Sequence, residues 1–300
     1  SSNHFQMINY ADDTALTCSL SASSDPTNSS RIEIELSKVS QWLKANKLTI
    51  NVSKSKAMFF HTKQRSITLP DIILNQEKIE IVDTFNYLGI VFDRHLTWLG
   101  HVDSVASKIS KTVGILKQLR HFLPPNILKL IYDSLITCRV KYGLLVWGEC
   151  SQRIYKLQKK AVRIISNSKF NAHTDPLFRN LNILKINDDK KMQELIFYYK
   201  YQHGKLPQFF SRGYIQEMEN SHITRNAKKL IFPSFKHEFF RKNLRYTIVN
   251  CVNRCPSLIL EKVSTHSLKG YIQYMKKMFI SDYSSTCLIR DCYICGRAVN

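Results

Sequence analysis

"NYADDTALTCS", residues 9–19, places two adjacent carboxylates, Asp12 and Asp13, inside a run that otherwise reads as strand. Phe5, Met7 and Ile8 precede them, and Thr14, Leu16, Thr17 and Cys18 follow. Aspartate is disfavoured in strands, so the run reads as a hairpin with the acids at its tip. Two readings of that tip stand. One is an ordinary solvated turn, where Asp is a common residue; the other is a magnesium site.

The flanking sequence is strand-rich with one good helix. "SASSDPTNSS" (21–30) is a polar connector. Ile32, Leu36, Val39 and Leu43 then recur at helical spacing, which predicts a helix from about Ser30 to Asn46 with N-cap candidates in Asn28–Ser30. "KLTINVSKSKAMFF" (47–60) leads into a strand over Ala57–Phe60, and "DIILNQEKIEIV" (71–82) reads as two short strands about a turn at Asn75–Lys78. "FNYLGIVFD" (85–93) reads as one further strand, with Gly89 allowing close backbone approach. Asp71, Asp83 and Asp93 fall at turn-like positions.

From about Trp98 the period becomes helical. Val102, Val105, Ile109, Val113, Leu116 and Leu119 form one stripe, with Lys108, Lys111, Lys117 and Arg120 off it. Pro124 or Pro125 opens a second helix, whose stripe is read as Ile127, Ile131, Leu135 and Ile136, up to Tyr142-Gly143. "SQRIYKLQKKAVRIIS" (151–166) gives a third, with Ile154, Leu157, Ala161 and Ile164 inward and Arg153, Lys156, Lys159, Lys160 and Arg163 outward. Beyond Ser168 the pattern weakens. Helices are expected in "NDDKKMQELIFYYKYQ" (187–202) and "SLKGYIQYMKKMFISDY" (267–283), with prolines 176, 207 and 233 in irregular links. Trp98 and Trp147 read as core anchors, as do Cys18, Cys138 and Cys150.

The net charge of +21 is unevenly spread. Residues 1–100 hold ten Lys/Arg and ten Asp/Glu, residues 101–170 thirteen against three, and the remainder twenty-one against ten. A neutral first third followed by basic stretches points to a chemical centre joined to parts that grip a polyanion, with nucleic acid favoured over a membrane surface. No run of about eighteen apolar residues suggests a membrane span, and no basic, apolar leader suggests secretion. Eight cysteines without a secretory framework fit a reducing, intracellular compartment, nuclear or cytoplasmic. The chain opens on Ser1 and first reaches methionine at Met7, which reads as a piece of a longer polypeptide. The oligomeric state is left open.

"YADD" (10–13), with an apolar strand before it and "TAL" after, resembles the metal-binding hairpin of reverse transcriptases. "WLKANKLTINVSKSKAMFF", "FNYLGIVFDRHLTWLGHV", "KISKTVGILKQLR", "IYDSLITCRVKYGLLVWG" and "LQKKAVRII" follow in the order found in non-LTR (LINE-type, jockey-like) retrotransposon polymerases. "HTDPLFRNLNILKI", "LPQFF" and "HITRNAKKLIFP" extend the resemblance over nearly the whole chain. It implies an α+β fold: a partial palm with the YADD hairpin and primer-grip strands over 1–97, an all-α thumb over 98–168, and a basic, mainly helical extension over 169–300.

The same resemblance implies RNA-directed DNA synthesis with two Mg²⁺ ions. Asp12 matches a metal ligand and Asp13 its supporting neighbour. Tyr10 and Ala11 match residues beneath the primer terminus, Lys54 the lysine near the triphosphate, and Asn51 the position that orients its loop. Tyr87, Leu88 and Gly89 resemble the primer-grip turn. Lys108, Lys111, Lys117, Arg120, Lys159, Lys160 and Arg163, off the apolar stripes of the helices that resemble the thumb, read as general phosphate contacts or solvated positions and not as specific readers. Expected partners are an RNA template, a DNA primer or RNA–DNA hybrid, and deoxynucleotides, with no membrane. The family draws another metal-binding aspartate and its nucleotide-binding fingers from before the hairpin, so the isolated chain is expected not to polymerise. The alternative is a degenerate, non-catalytic remnant that binds nucleic acid through its basic helices.

Cys287, Cys292 and Cys295 have C-x4-C-x2-C spacing, with Cys251, Cys255 and His266 as further donors. Zinc takes four such ligands, and three clustered cysteines fall short of a finger signature. A zinc site and a reduced tail are the two readings of this segment.

Overall fold

The computed structural model describes residues 5–20, 27–48, 50–64, 70–210, 213–217, 230–235 and 238–284. The chain divides into two compact units, 1–100 and 101–300. Small two-stranded sheets occupy the first and helices dominate the second, a mixed α+β composition. Among the described residues no helix is long and apolar enough to cross a membrane.

In the first unit, β1 (Gln6–Tyr10) and β2 (Asp13–Thr17) pair antiparallel from Gln6–Thr17 to Tyr10–Asp13. Helix α1 (Thr27–Ala45) starts three residues earlier than expected, so Asn28–Ser30 lie inside its first turn and not at its cap. A 3₁₀ turn, Val52–Lys54, precedes β3 (Lys56–Ala57). That strand is only two residues long and pairs parallel with β6 (Glu80–Ile81), and the strand expected over Met58–Phe60 does not form.

Between them, β4 (Ile73–Leu74) and β5 (Glu77–Lys78) make a hairpin whose tip residues Asn75 and Gln76 have φ of 50° and 68°. Two positive φ values match the type I′ turn that suits a two-residue hairpin. The run read as one strand over 85–93 is instead a second hairpin, β7 (Thr84–Tyr87) and β8 (Ile90–Asp93), turning on Leu88 (φ 48°) and Gly89 (φ 77°). Ile32, Ile72, Leu74 and Ile79 form this unit's small core, with Phe5, Leu36 and Val52 against it.

The second unit begins along α2 (Leu99–Leu119), which buries Val102, Val105, Ile109, Val113 and Leu116 as its periodicity predicts. Next comes α3 (Pro125–Tyr132), with proline in the first turn, a π-helical stretch Asp133–Thr137 and α4 (Cys138–Lys141). Its buried face is Leu128, Tyr132, Ile136 and Val140, whereas the expected Ile127 and Leu135 are exposed. The wider π turn carries a spacing of four across the stretch, which a 3.6-residue period reads one position out. Cys138, expected inside for its apolar neighbours in sequence, is exposed.

Gly143 (φ 62°) turns the chain into α5 (Leu144–Trp147), and α6 (Gln152–Ile165) follows. Pro176 does not sit in a loop; it lies in the first turn of α7 (Asp175–Asn180), where its missing N–H costs nothing. Helix α8 (Ile186–Gln202) is the centre of the unit, packing on α4, α5, α6, α9 (Leu244–Arg254) and α11 (Leu268–Ser281). The sequence reading did not anticipate α9 or α10 (Ser257–Thr265).

A buried amide bridges residues on both sides of Ser168. Gln158 donates to the Tyr132 hydroxyl (2.9 Å) and the Leu184 carbonyl (2.8 Å), and accepts from the Ile186 N–H (3.0 Å). Burial raises the Tyr132 phenol far above its ordinary pKa and keeps it neutral.

Candidate active-site hairpin and basic groove

The β1–β2 register leaves a two-residue loop, Ala11–Asp12, so Asp12 is the tip acid and Asp13 opens β2. Ala11 holds φ at 52°, a left-handed conformation that costs an L-residue about 1–2 kcal/mol. Every residue of β1 is exposed, Tyr10 by 63%, and both carboxylates face solvent. Among the described residues neither the Asp12 nor the Asp13 carboxylate has a hydrogen-bond or ion-pair partner. They are therefore adjacent and open, and no cation among the described residues pairs with them.

Lys54 ends the 3₁₀ turn, and the Asn51 side chain fixes that turn. Asn51 Oδ1 accepts the Lys54 N–H (3.1 Å) and the Ser53 hydroxyl (2.7 Å). Lys54 itself is exposed and forms no hydrogen bond or ion pair with the Asp12–Asp13 tip among the described residues. Leu88 and Gly89 cap the β7–β8 hairpin, and the Tyr87 hydroxyl below them is buried without a hydrogen-bond partner among the described residues.

Three other acids of this unit have structural tasks. Asp71 pairs with Lys78, and Asp83 with Arg94. Asp93 accepts from the backbone N–H groups of His95, Thr97 and Trp98 and from the Thr97 hydroxyl. Partial burial pushes its pKa up, but these donors outweigh burial and hold the carboxyl below its ordinary range. Among the described residues no three His, Cys, Asp or Glu side chains converge as a metal-binding group.

In the second unit, Lys108, Lys111 and Lys117 stand exposed on α2, and Lys160 on α6. Two others of the expected nucleic-acid contacts, Lys159 and Arg163, also make contacts within the protein. Lys159 lies 4.3 Å over the Tyr155 ring, and the half-buried Arg163 donates to the Ala172 carbonyl (2.8 Å). Lys111 converges with Arg153 and Lys156 along an open groove of about 510 Å³ between α2 and α6, also lined by Ala106, Ser107, Ser110 and Leu157. Helical periodicity had marked Arg153 and Lys156 as outward; their meeting with Lys111 and the two serines depends on the packing of one helix against the other.

Cys287, Cys292 and Cys295 lie outside the described residues. Of their candidate co-ligands, Cys251 and Cys255 lie at the end of α9, and burial pushes both thiols up, Cys255 to about 11.

No family model matches the chain, and no solved structure matches it. Curated relatives do. Over 195 residues, 62% of this chain, it is 29% identical to the RNA-directed DNA polymerase from mobile element jockey of Drosophila melanogaster. Over 158 residues it is 28% identical to the probable RNA-directed DNA polymerase from transposon X-element of the same species. The chain is a relative of non-LTR retrotransposon RNA-directed DNA polymerases. The jockey polymerase of Drosophila funebris is 25% identical over 60% of the chain. The matches cover only 17–20% of these relatives' own lengths, about a fifth of each.

Proposed function

We propose that the chain is part of an RNA-directed DNA polymerase of the non-LTR retrotransposon type, with residues 1–97 in its palm, 98–168 in its thumb and 169–300 as a basic extension. The observation that carries this reading is the YADD tip: two unpaired, exposed carboxylates on a hairpin, in a chain related to four such polymerases. The donor set fits Mg²⁺, which takes hard oxygen ligands and commonly only one or two protein carboxylates. Asp12 and Asp13 would hold it, and the bound ion supplies neutralisation of the triphosphate and acidification of the attacking hydroxyl.

The chain's own residues do the remainder. Asp12 and Asp13 concentrate negative charge at a point where, among the described residues, no lysine or arginine pairs with them. Ala11 keeps the surface beside them low, leaving room for a primer terminus. Lys54, on a turn held by Asn51, offers a charge to phosphate, and the Tyr87–Gly89 tip supports the primer. The partners are an RNA template, a DNA primer and deoxynucleotides. The 300 residues alone are inactive in primer extension, since the 158–195 residues that match span only about a fifth of the relatives' lengths.

Manganese titration followed by paramagnetic broadening of the 10–15 amides tests the metal assignment without turnover. Asp12→Asn with Asp13→Asn removes the broadening; unchanged broadening sinks the assignment. In a polypeptide as long as the relatives, Asp12→Asn lowers RNA-templated extension at least about a hundredfold.

A further inference from the structure

Aromatic rings and cations gather around the start of α9. Asn253, near the end of that helix, clamps Leu230 by both backbone groups: its amide donates to the Leu230 carbonyl (2.9 Å) and accepts the Leu230 N–H (2.8 Å). The segment that follows lays Phe232 and Phe235 against Tyr246 of α9, with ring centroids 5.1 and 6.0 Å apart. Phe240, from the 3₁₀ turn Glu238–Lys242, stacks on Phe235 at 5.5 Å with planes 17° apart. The residue before Tyr246 reaches a second group. The Arg245 guanidinium lies 5.7 Å over the Tyr214 ring, Tyr214 meets Phe210, and Phe210 meets Phe209. These rings are not sealed in the core: Phe209 is 67% exposed, Phe232 44% and Phe240 41%. Arg241 and Lys242 stand exposed beside Phe240 in sequence, and among the described residues Lys242 and Arg245 form no ion pair.

We propose that this surface is a stacking platform for the unpaired bases of single-stranded RNA. Exposed rings alone fit many partners, but rings interleaved with cations fit a polyanion that carries flat π faces. Bases stack on the open faces of Phe209, Phe232 and Phe240, while Arg241 and Lys242 neutralise the phosphates between them. The Asn253 clamp and Tyr246 hold the Phe232–Phe235 segment on α9, so the platform is built before the strand arrives. Stacking of this kind tolerates any sequence, since every base has a π face. A paired hybrid hides those faces and gains nothing here. The inference rests on the reading that the partner is nucleic acid, but it concerns bases and not phosphates, and it needs neither metal nor turnover, so it fails or stands apart from the Asp12 site.

The test is fluorescence anisotropy of the full chain with three labelled ligands of equal length, titrated over a range of KCl concentrations: a single-stranded RNA, an abasic RNA strand that keeps every phosphate, and the same RNA annealed to complementary DNA. The unaltered chain binds the single-stranded RNA at least about tenfold more tightly than the abasic strand, a comparison that needs no variant to fold. Phe209→Leu, Phe232→Leu and Phe240→Leu together lower affinity for single-stranded RNA at least about tenfold and leave affinity for the hybrid unchanged. The slope of log affinity against log salt stays the same in that triple variant, because no phosphate contact is lost. Arg241→Ala with Lys242→Ala instead lowers the slope by about 1–2, at about 0.7 per contact on a single strand. Phe122→Leu with Phe170→Leu removes two rings exposed elsewhere in the same unit and alters neither affinity nor slope. Equal affinity for the abasic strand overturns the platform and leaves nucleic-acid binding standing. Failure to bind all three ligands overturns the nucleic-acid reading and the platform with it. Self-association of the chain in sedimentation that the triple variant abolishes, with RNA affinity unaltered, makes the surface a protein interface and also overturns the proposal.

Discussion

The two units spend their residues differently. In the second, side chains such as Trp147, Ile109, Leu116 and Ile136 are completely buried, and even the polar Gln158 is enclosed with its bonds satisfied. In the first, the core among the described residues is four side chains, none fully buried, and each sheet described has two strands. Yet the first carries the acidic tip, the Lys54 turn and the Leu88–Gly89 tip, three of them on strained or tightly capped backbone. Two-stranded hairpins are marginal alone, so exposure that suits chemistry is gained where packing contributes least. The sharpest way to break this comparison is to cut each region once. Trp147→Ala removes a fully buried ring and its Nε1–H bond to the Tyr142 carbonyl (2.9 Å), and lowers the stability of the second unit by about 3–5 kcal/mol in urea unfolding followed by circular dichroism. Asp12→Asn changes the same measurement by less than about 0.5 kcal/mol. Comparable losses from both would erase the contrast.

What was legible in the sequence follows the same divide. Long 3.6-residue stripes predict α1, α2 and α6, because each has one apolar face; α8 and α11 are expected as helices where the pattern weakens, and α8 packs on several sides, so it carries no single stripe. The face of α3–α4 was misread because hydrogen bonding there opens into a π turn, which changes the period without altering composition. Helices α9 and α10 run eleven and nine residues, too short for a stripe to stand out. In the first unit the β1–β2 tip is visible because two aspartates interrupt a strand. The β7–β8 tip is hidden because Leu-Gly is not a usual I′ pair and the flanking apolar run continues through it. The β3–β6 pairing joins residues some two dozen positions apart, and nothing local encodes it. Of the site, Asp12 and Asp13 could be read directly, whereas the convergence of Lys111, Arg153 and Lys156 is a tertiary fact.

A second, smaller effect tests how the first unit holds its turns with little core. Asp93 gathers the 93–98 loop through four donors, and Asp93→Ala costs about 1 kcal/mol of local stability, in line with losing a helix cap. The pH dependence has a definite sign. The folded carboxyl titrates below the unfolded value of about 3.9, so the unfolded chain takes the proton first. The contribution is complete above that value and fades as the pH falls from about 4 through the folded pKa. Hydrogen exchange at the His95, Thr97 and Trp98 amides, corrected for intrinsic rates, reads both effects. A loop equally protected with alanine at 93, or one insensitive to acid below pH 4, would place the restraint elsewhere.

The smallest expected effect runs in the opposite direction. Leu88 occupies the first position of a I′ tip with φ of 48°, where asparagine is preferred and leucine is strained. Leu88→Asn therefore stabilises the β7–β8 hairpin by about 0.5–1 kcal/mol, seen as slower exchange at the Tyr87 and Ile90 amides. If Leu88 stays at this cost because its side chain meets a primer strand, the same change weakens primer-template binding while the fold improves. A stability gain with unaltered binding would make Leu88 a tolerated imperfection. A stability loss would show that its packing outweighs the backbone strain, and the hairpin would then be held by side chains, as the second unit is.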